Sequence, residues 1–127
     1  MYGNTMTTNP RALGVATAVL ESLSDDLRAN ICGRGKEFIE KSQELKKEFP
    51  SIVESVQGTG LLFAIEINKK VADVVGSNGL EMKLRKRGIG VIHGGRNALR
   101  FTPVFDITSK EVDLILAKVR EVFRELA

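Results

Sequence analysis

Apolar residues along this chain recur at helical spacing, then alternate, then return to helical spacing. Leu13, Ala16, Leu20 and Leu23 follow one another at intervals of a helical turn. Asn9 and Pro10 stand immediately before them as an N-cap and a first helical residue. Ser22 and Ser24 break this helix, and the Asp25–Asp26 pair suits the positive end of a second one. Leu27, Ile31, Phe38, Leu45 and Phe49 fall near one face of that second helix, and Pro50 marks its end. Gly33 and Gly35 weaken its middle, because a helical Gly costs about 1 kcal/mol relative to Ala.

The period then changes. In LLFAIEI, Leu61, Phe63, Ile65 and Ile67 share one face, while Leu62, Ala64 and Glu66 share the other. Ile52 to Gln57 is the expected partner strand, joined through a Gly58-Thr59-Gly60 hairpin turn. A helix is expected over Lys70 to Arg87, with Gly76 and Gly79 interrupting its first part and Gly88 capping it. IGVIHGG and NALRFTP then read as two short strands around a Gly-Gly turn. Thr108 and Glu111 form a T-x-x-E capping box before a last helix carrying Val112, Leu116, Val119 and Phe123 on one face. The pattern predicts an α+β fold: a small, mostly antiparallel sheet with helices packed on one face. The first helix has no obvious partner except the second, as in helices that pack on a neighbouring domain.

Composition narrows the function classes. At 127 residues, 43% hydrophobic and 28% charged, the chain is one globular domain rather than a disordered segment. A net charge of +3 is too small to imply nucleic acid, and the basic run at Lys83 to Gly88 reads as a solvated helix face. No apolar run reaches the length of a membrane span, and the opening residues lack the stretches of a signal peptide. The expectation is a cytoplasmic protein with neither membrane nor nucleic-acid partner. One Cys (Cys32) and one His (His93) make neither an internal disulfide nor a metal cluster, so no metal is expected. Cys32 is expected to be a small core residue and His93 a turn residue.

Candidate chemistry is sparse, and no residue is assigned a catalytic role. GNTMTTNP places Gly and Thr just before a helix N-terminus, where hydroxyls, free N–H groups and the dipole suit a phosphate. The same residues also serve an ordinary capped helix start, the commoner use of such a loop. In NALRFTP, Leu99 and Phe101 point to one side, which turns Arg100 to the other. An arginine fixed on a strand can present its fork rigidly to a carboxylate. A plain surface arginine, or one bridging to Glu66, is the alternative.

Three segments together resemble the C-terminal part of the class III pyridoxal-phosphate-dependent aminotransferases, the family of the ornithine, acetylornithine, 4-aminobutyrate and putrescine enzymes. The opening is similar to the family's G-S-T-(F/Y)-G-G-N-P-L-A segment at Gly3, Thr5, Asn9, Pro10 and Ala12. VQGTGLLFAIEI, from Val56 to Ile67, resembles V-R-G-x-G-L-(L/M)-x-(G/A)-(I/V)-E. HGGRNALRFTPVFDIT resembles the closing motif, in which a His-Gly pair leads to an arginine, a proline pair and Ile-Thr. The chain departs from the family at Asn4, at Met6-Thr7-Thr8 and at Val104, which replaces the second proline.

The resemblance implies the small C-terminal domain of a fold-type I enzyme over residues 1–127, with residues 1–12 as the phosphate loop and helix start. It implies a homodimer in which Thr5 reaches the cofactor phosphate of the neighbouring subunit, and a substrate-end role for Arg100 against a carboxylate. The complete enzyme would transfer an amino group from an amine or amino acid to an oxo acid, using pyridoxal phosphate. In the family, the lysine that binds the cofactor covalently and the aspartate at its ring nitrogen precede the G-S-T segment. This chain alone is therefore expected to lack the large domain, hold no pyridoxal phosphate and be inactive. A free-standing protein-interaction domain, and part of a racemase or aminomutase of the same family, are the alternatives.

Overall fold

Local signals place three of the helices where the pattern predicts them. The computed structural model describes residues 9–127. Asn9 caps α1 (Pro10–Ser22), its Oδ1 accepting from the Arg11 N–H at 3.0 Å. Ser24 caps α2 (Asp25–Glu48), accepting from the Leu27 N–H at 3.2 Å. The final helix α4 (Ser109–Arg124) begins with the full capping box of Thr108 and Glu111. The Thr108 N–H donates to Glu111 Oε2 at 2.8 Å, and this bond, with a second from the Thr108 hydroxyl, holds the Glu111 carboxyl below its ordinary pKa.

Four strands form one antiparallel sheet: β1 (Val53–Thr59), β2 (Leu62–Ile67), β3 (Ile92–Gly94) and β4 (Ala98–Phe101), in spatial order β1-β2-β4-β3. Phe63, Ile65 and Ile67 face the core with Leu99 and Phe101, as the alternation requires. Against this face pack Phe38 and Leu45 of α2 and Leu116, Val119 and Phe123 of α4. Phe38 meets Phe63 at 4.3 Å between ring centroids, and Phe63 stacks on Phe101 at 4.8 Å. Ion pairs join α2 to α4 along the rim, from Lys41 to Asp113 and from Arg120 and Arg124 to Glu48.

Three expectations need correction. The helix expected over Lys70 to Arg87 is confined to α3 (Leu80–Arg85). Gly76 adopts φ +112°, which no helix accommodates. The backbone before it is held instead by the buried Asn97, whose side chain donates to the Ile67 and Ala72 carbonyls and accepts from the Val74 N–H. Gly88 does end the α3 segment as expected, at φ +81°.

Cys32 is exposed rather than buried. The core stripe of α2 runs through Ile31, Gly35, Phe38, Ser42, Leu45 and Phe49, which leaves Cys32 about 100° around the helix from it. His93 lies in β3 rather than in the turn, which follows at residues 95–97.

Gly35 sits in an unbroken helix for a reason of contact. A Cβ there would lie 2.3 Å from the Gly60 carbonyl oxygen, so the missing side chain lets α2 touch the β1–β2 turn. α1 is the exception to the packing. None of its residues is buried, and Leu13, Val15, Val19 and Leu20 are all exposed.

Candidate functional site

The helix-free face of the sheet is the candidate site. Directly paired residues share a face, so the register places Leu62, Ala64, Glu66, Ala98, Arg100, Ile92 and Gly94 together on it. Arg100 is opposite Ala64 on one side and Ile92 on the other, near the middle of this surface. An open cleft of about 550 Å³ lies between Arg100, Gln57, Thr59 and Leu62, floored by the backbone of β1 and β2.

The surroundings leave Arg100 available. Among the described residues it forms no ion pair. Glu66, the bridging partner the sequence allowed, instead accepts from the Ser55 hydroxyl at 2.7 Å. Leu62 and Ile92, both about half exposed, add apolar surface to the same face. A cation with no ion-pair partner, on a face that also carries exposed apolar side chains, is suited to a carboxylate ligand with an aliphatic body. The loop after β4 is tied down by Asn30, whose Nδ2 donates to the Phe105 and Ile107 carbonyls at 2.8 and 3.1 Å.

Thr5, the phosphate candidate, lies outside the described residues. His93 Nδ1 is 3.1 Å from Glu81 Oε2, and Glu81 also receives Arg85 Nη2 at 2.7 Å, so the imidazole belongs to a surface hydrogen-bonded group.

Among the lysines of the described residues, Lys41 is the one with a resolved shift, and it moves upward: hydrogen bonds to Asp113 and Glu37 hold its ammonium charged. Burial pushes Glu37 up, but bonds from Lys41 and Ser109 and the Lys41 and Arg34 charges outweigh it and leave the carboxyl below its ordinary value. These groups join α2 to the start of α4 and lie on helices, away from the open sheet face. Among the described residues, no three potential ligands gather as a metal site, and no helix is long and apolar enough to cross a membrane.

Sequence reasoning missed Asn30 and Asn97, both of which act through partners more than twenty residues away. A short polar residue between apolar strands was the available signal for Asn97.

Comparison with known proteins gives this geometry a family context. A family model described as aminotransferase class-III matches residues 1–123. The mitochondrial acetylornithine aminotransferase of Neurospora crassa is 29% identical over 96% of this chain and 25% of its own length. Ornithine delta-aminotransferase of Plasmodium falciparum superposes with a TM-score of 0.83 at 25% identity, covering 98% of this chain and 32% of that one. The ornithine aminotransferase of Toxoplasma gondii, whose structure is described with partial occupancy of PLP at its active site, gives a TM-score of 0.78 at 29% identity. It covers 98% of this chain and 29% of that one. The chain thus spans between a quarter and a third of the length of these proteins.

Proposed function

The chain belongs to the class III aminotransferase family, and from that premise we propose that it is the small C-terminal domain of an enzyme that moves an amino group from an amine or amino acid to an oxo acid. The observation that carries this reading is the family match across residues 1–123 together with a sheet that leaves Arg100 open on its helix-free face.

Pyridoxal phosphate, when bound, supplies the electron sink for the reaction. In this reading the lysine that holds it lies in a part of the enzyme other than these residues, so the 127-residue chain alone is inactive. Thr5 donates a hydroxyl to the cofactor phosphate of the neighbouring subunit, which requires a homodimer. The unburied apolar face of α1, a few residues after Thr5, supports an interface in that region. Arg100 receives a carboxylate and orients it through paired hydrogen bonds. The chemistry of the donor set fits this role, because Arg100 is a strand-borne cation with no ion pair among the described residues.

The proposed compartment is the cytoplasm. The Neurospora relative is mitochondrial by name, and fractionation of the source cells decides between the two.

The test is product analysis of the full-length protein supplied with ornithine or acetylornithine and an oxo acid. Transfer requires the acceptor and converts it to an amino acid. Turnover without any acceptor, returning an isomer of the donor, would replace this reading with a racemase or aminomutase. No turnover with any donor would favour the interaction-domain reading, which the exposed face of α1 also suits.

A further inference from the structure

Arg100 is aimed by a residue that makes no hydrogen bond to it. In the β3–β4 register, Arg100 is opposite Ile92 and Ala98 is opposite Gly94, so Gly94 is the diagonal neighbour of Arg100 on the same face. The Arg100 side chain follows that diagonal. A Cβ built on Gly94 would fall 2.6 Å from Nη2, 2.8 Å from Nε and 3.1 Å from Cζ. The Nε–Nη2 edge of the guanidinium therefore reaches into the space that a Gly94 side chain would occupy.

We propose that Gly94 is a positioning residue: its missing side chain leaves room for the Nε–Nη2 edge of Arg100 beside β3 and so sets the angle at which the guanidinium meets a carboxylate on this face. This rests on the proposed role of Arg100 and adds the residue that sets its angle. Two features separate this from an ordinary structural glycine. Gly94 has no positive φ, so alanine is not strained there. The three nearest atoms that the new methyl would meet belong to the end of the flexible Arg100 side chain. Alanine should accordingly leave the fold intact and lift only the fork, by about an ångström, a displacement that can reduce productive binding by up to about a hundredfold.

The experiment uses the full-length enzyme carrying Gly94→Ala, with Gly90→Ala as a control at a position where a Cβ meets nothing within 4 Å. Substrates are paired so that they differ only in the carboxylate: L-ornithine against 1,4-diaminobutane as amino donors. Binding of the unreactive dicarboxylate glutarate, measured by calorimetry, gives a readout independent of turnover. The expected result is a tenfold to hundredfold rise in KM for ornithine and a matching loss of glutarate affinity. The KM for the diamine, the kcat and the unfolding temperature should stay near wild type, and Gly90→Ala should change none of these.

Unchanged ornithine KM and glutarate affinity in Gly94→Ala would overturn the proposal, and so would a large loss of folded protein, which would show that backbone packing is what the glycine serves. Arg100→Ala separates the two levels. Loss of carboxylate preference in Arg100→Ala but not in Gly94→Ala refutes the positioning role alone. Unchanged preference in Arg100→Ala refutes the role of Arg100 itself.

Discussion

Two glycines in one helix should respond to the same substitution with opposite sign. Gly33 and Gly35 are both inside α2, where Ala is favoured over Gly by about 1 kcal/mol. At Gly33 a Cβ meets nothing within 4 Å, so Gly33→Ala should realise most of that gain. At Gly35 the new carbon would sit 2.3 Å from the Gly60 oxygen and within 2.7 Å of two more Gly60 backbone atoms. Restoring an ordinary contact of 3.4 Å from 2.3 Å needs a separation of 1.1 Å between α2 and the β1–β2 turn. Neither backbone can give locally, and the Phe38–Phe63 contact lies close to the point of separation. Overpacking of this kind costs about 1–3 kcal/mol, and rigid backbone on both sides puts Gly35 at the upper end. After the helix gain is subtracted, Gly35→Ala should destabilise the chain by roughly 2 kcal/mol.

Circular dichroism during thermal unfolding of the 127-residue chain measures both effects. With about 3–5 °C per kcal/mol at this size, Gly33→Ala should raise Tm by roughly 3 °C and Gly35→Ala lower it by roughly 8 °C. Equal shifts of the same sign would refute the close approach of α2 to the turn. The result bears on function, because Gly58 and Thr59 of the same hairpin line the Arg100 cleft.

Other outcomes are expected in solution. In the full-length enzyme, Arg100→Ala should raise KM for a carboxylate-bearing donor about tenfold to a hundredfold, since hydrogen bonds to charged groups contribute about 1.5–3 kcal/mol; an unchanged KM would assign Arg100 to the plain surface. Thr5→Ala should weaken pyridoxal phosphate retention by a similar factor, read as the dissociation constant of the cofactor. An unchanged constant would remove Thr5 from the phosphate site. The Glu37 carboxyl is depressed from its ordinary value of 4.5, so the unfolded chain binds the proton more readily and stability falls as pH drops below that value. Lys41 is raised from 10.5, so its contribution is present below that pH and lost as pH rises through the folded value. Glu37→Gln should therefore flatten the acid limb of Tm against pH, and an unchanged acid slope would show that the Glu37 ion pairs with Arg34 and Lys41 do not carry it.

The elements that were legible in the sequence are those specified by neighbours along the chain. Asn9-Pro10, Ser24 and the Thr108–Glu111 box fix helix starts within a few residues, and the alternation of Phe63, Ile65 and Ile67 fixes which face of β2 is buried. The side to which Arg100 points followed from that same alternation. What remained illegible depends on distant partners. The loop before α3 is held by Asn97 across a separation of more than twenty residues, which overrides the helical pattern at Lys70. Gly35 looked like a helix defect until Gly60 came against it. The angle of the Arg100 fork depends on the pairing of β3 with β4, and no spacing within NALRFTP encodes it.

The central claim is membership in a pyridoxal-dependent enzyme whose cofactor lysine lies elsewhere in the protein. The most direct measurement is on the native protein purified from its source: intact mass, with a visible spectrum before and after borohydride. The account predicts a mass about three domains in size and a visible chromophore that borohydride abolishes. A native product of 127 residues with no chromophore would contradict it.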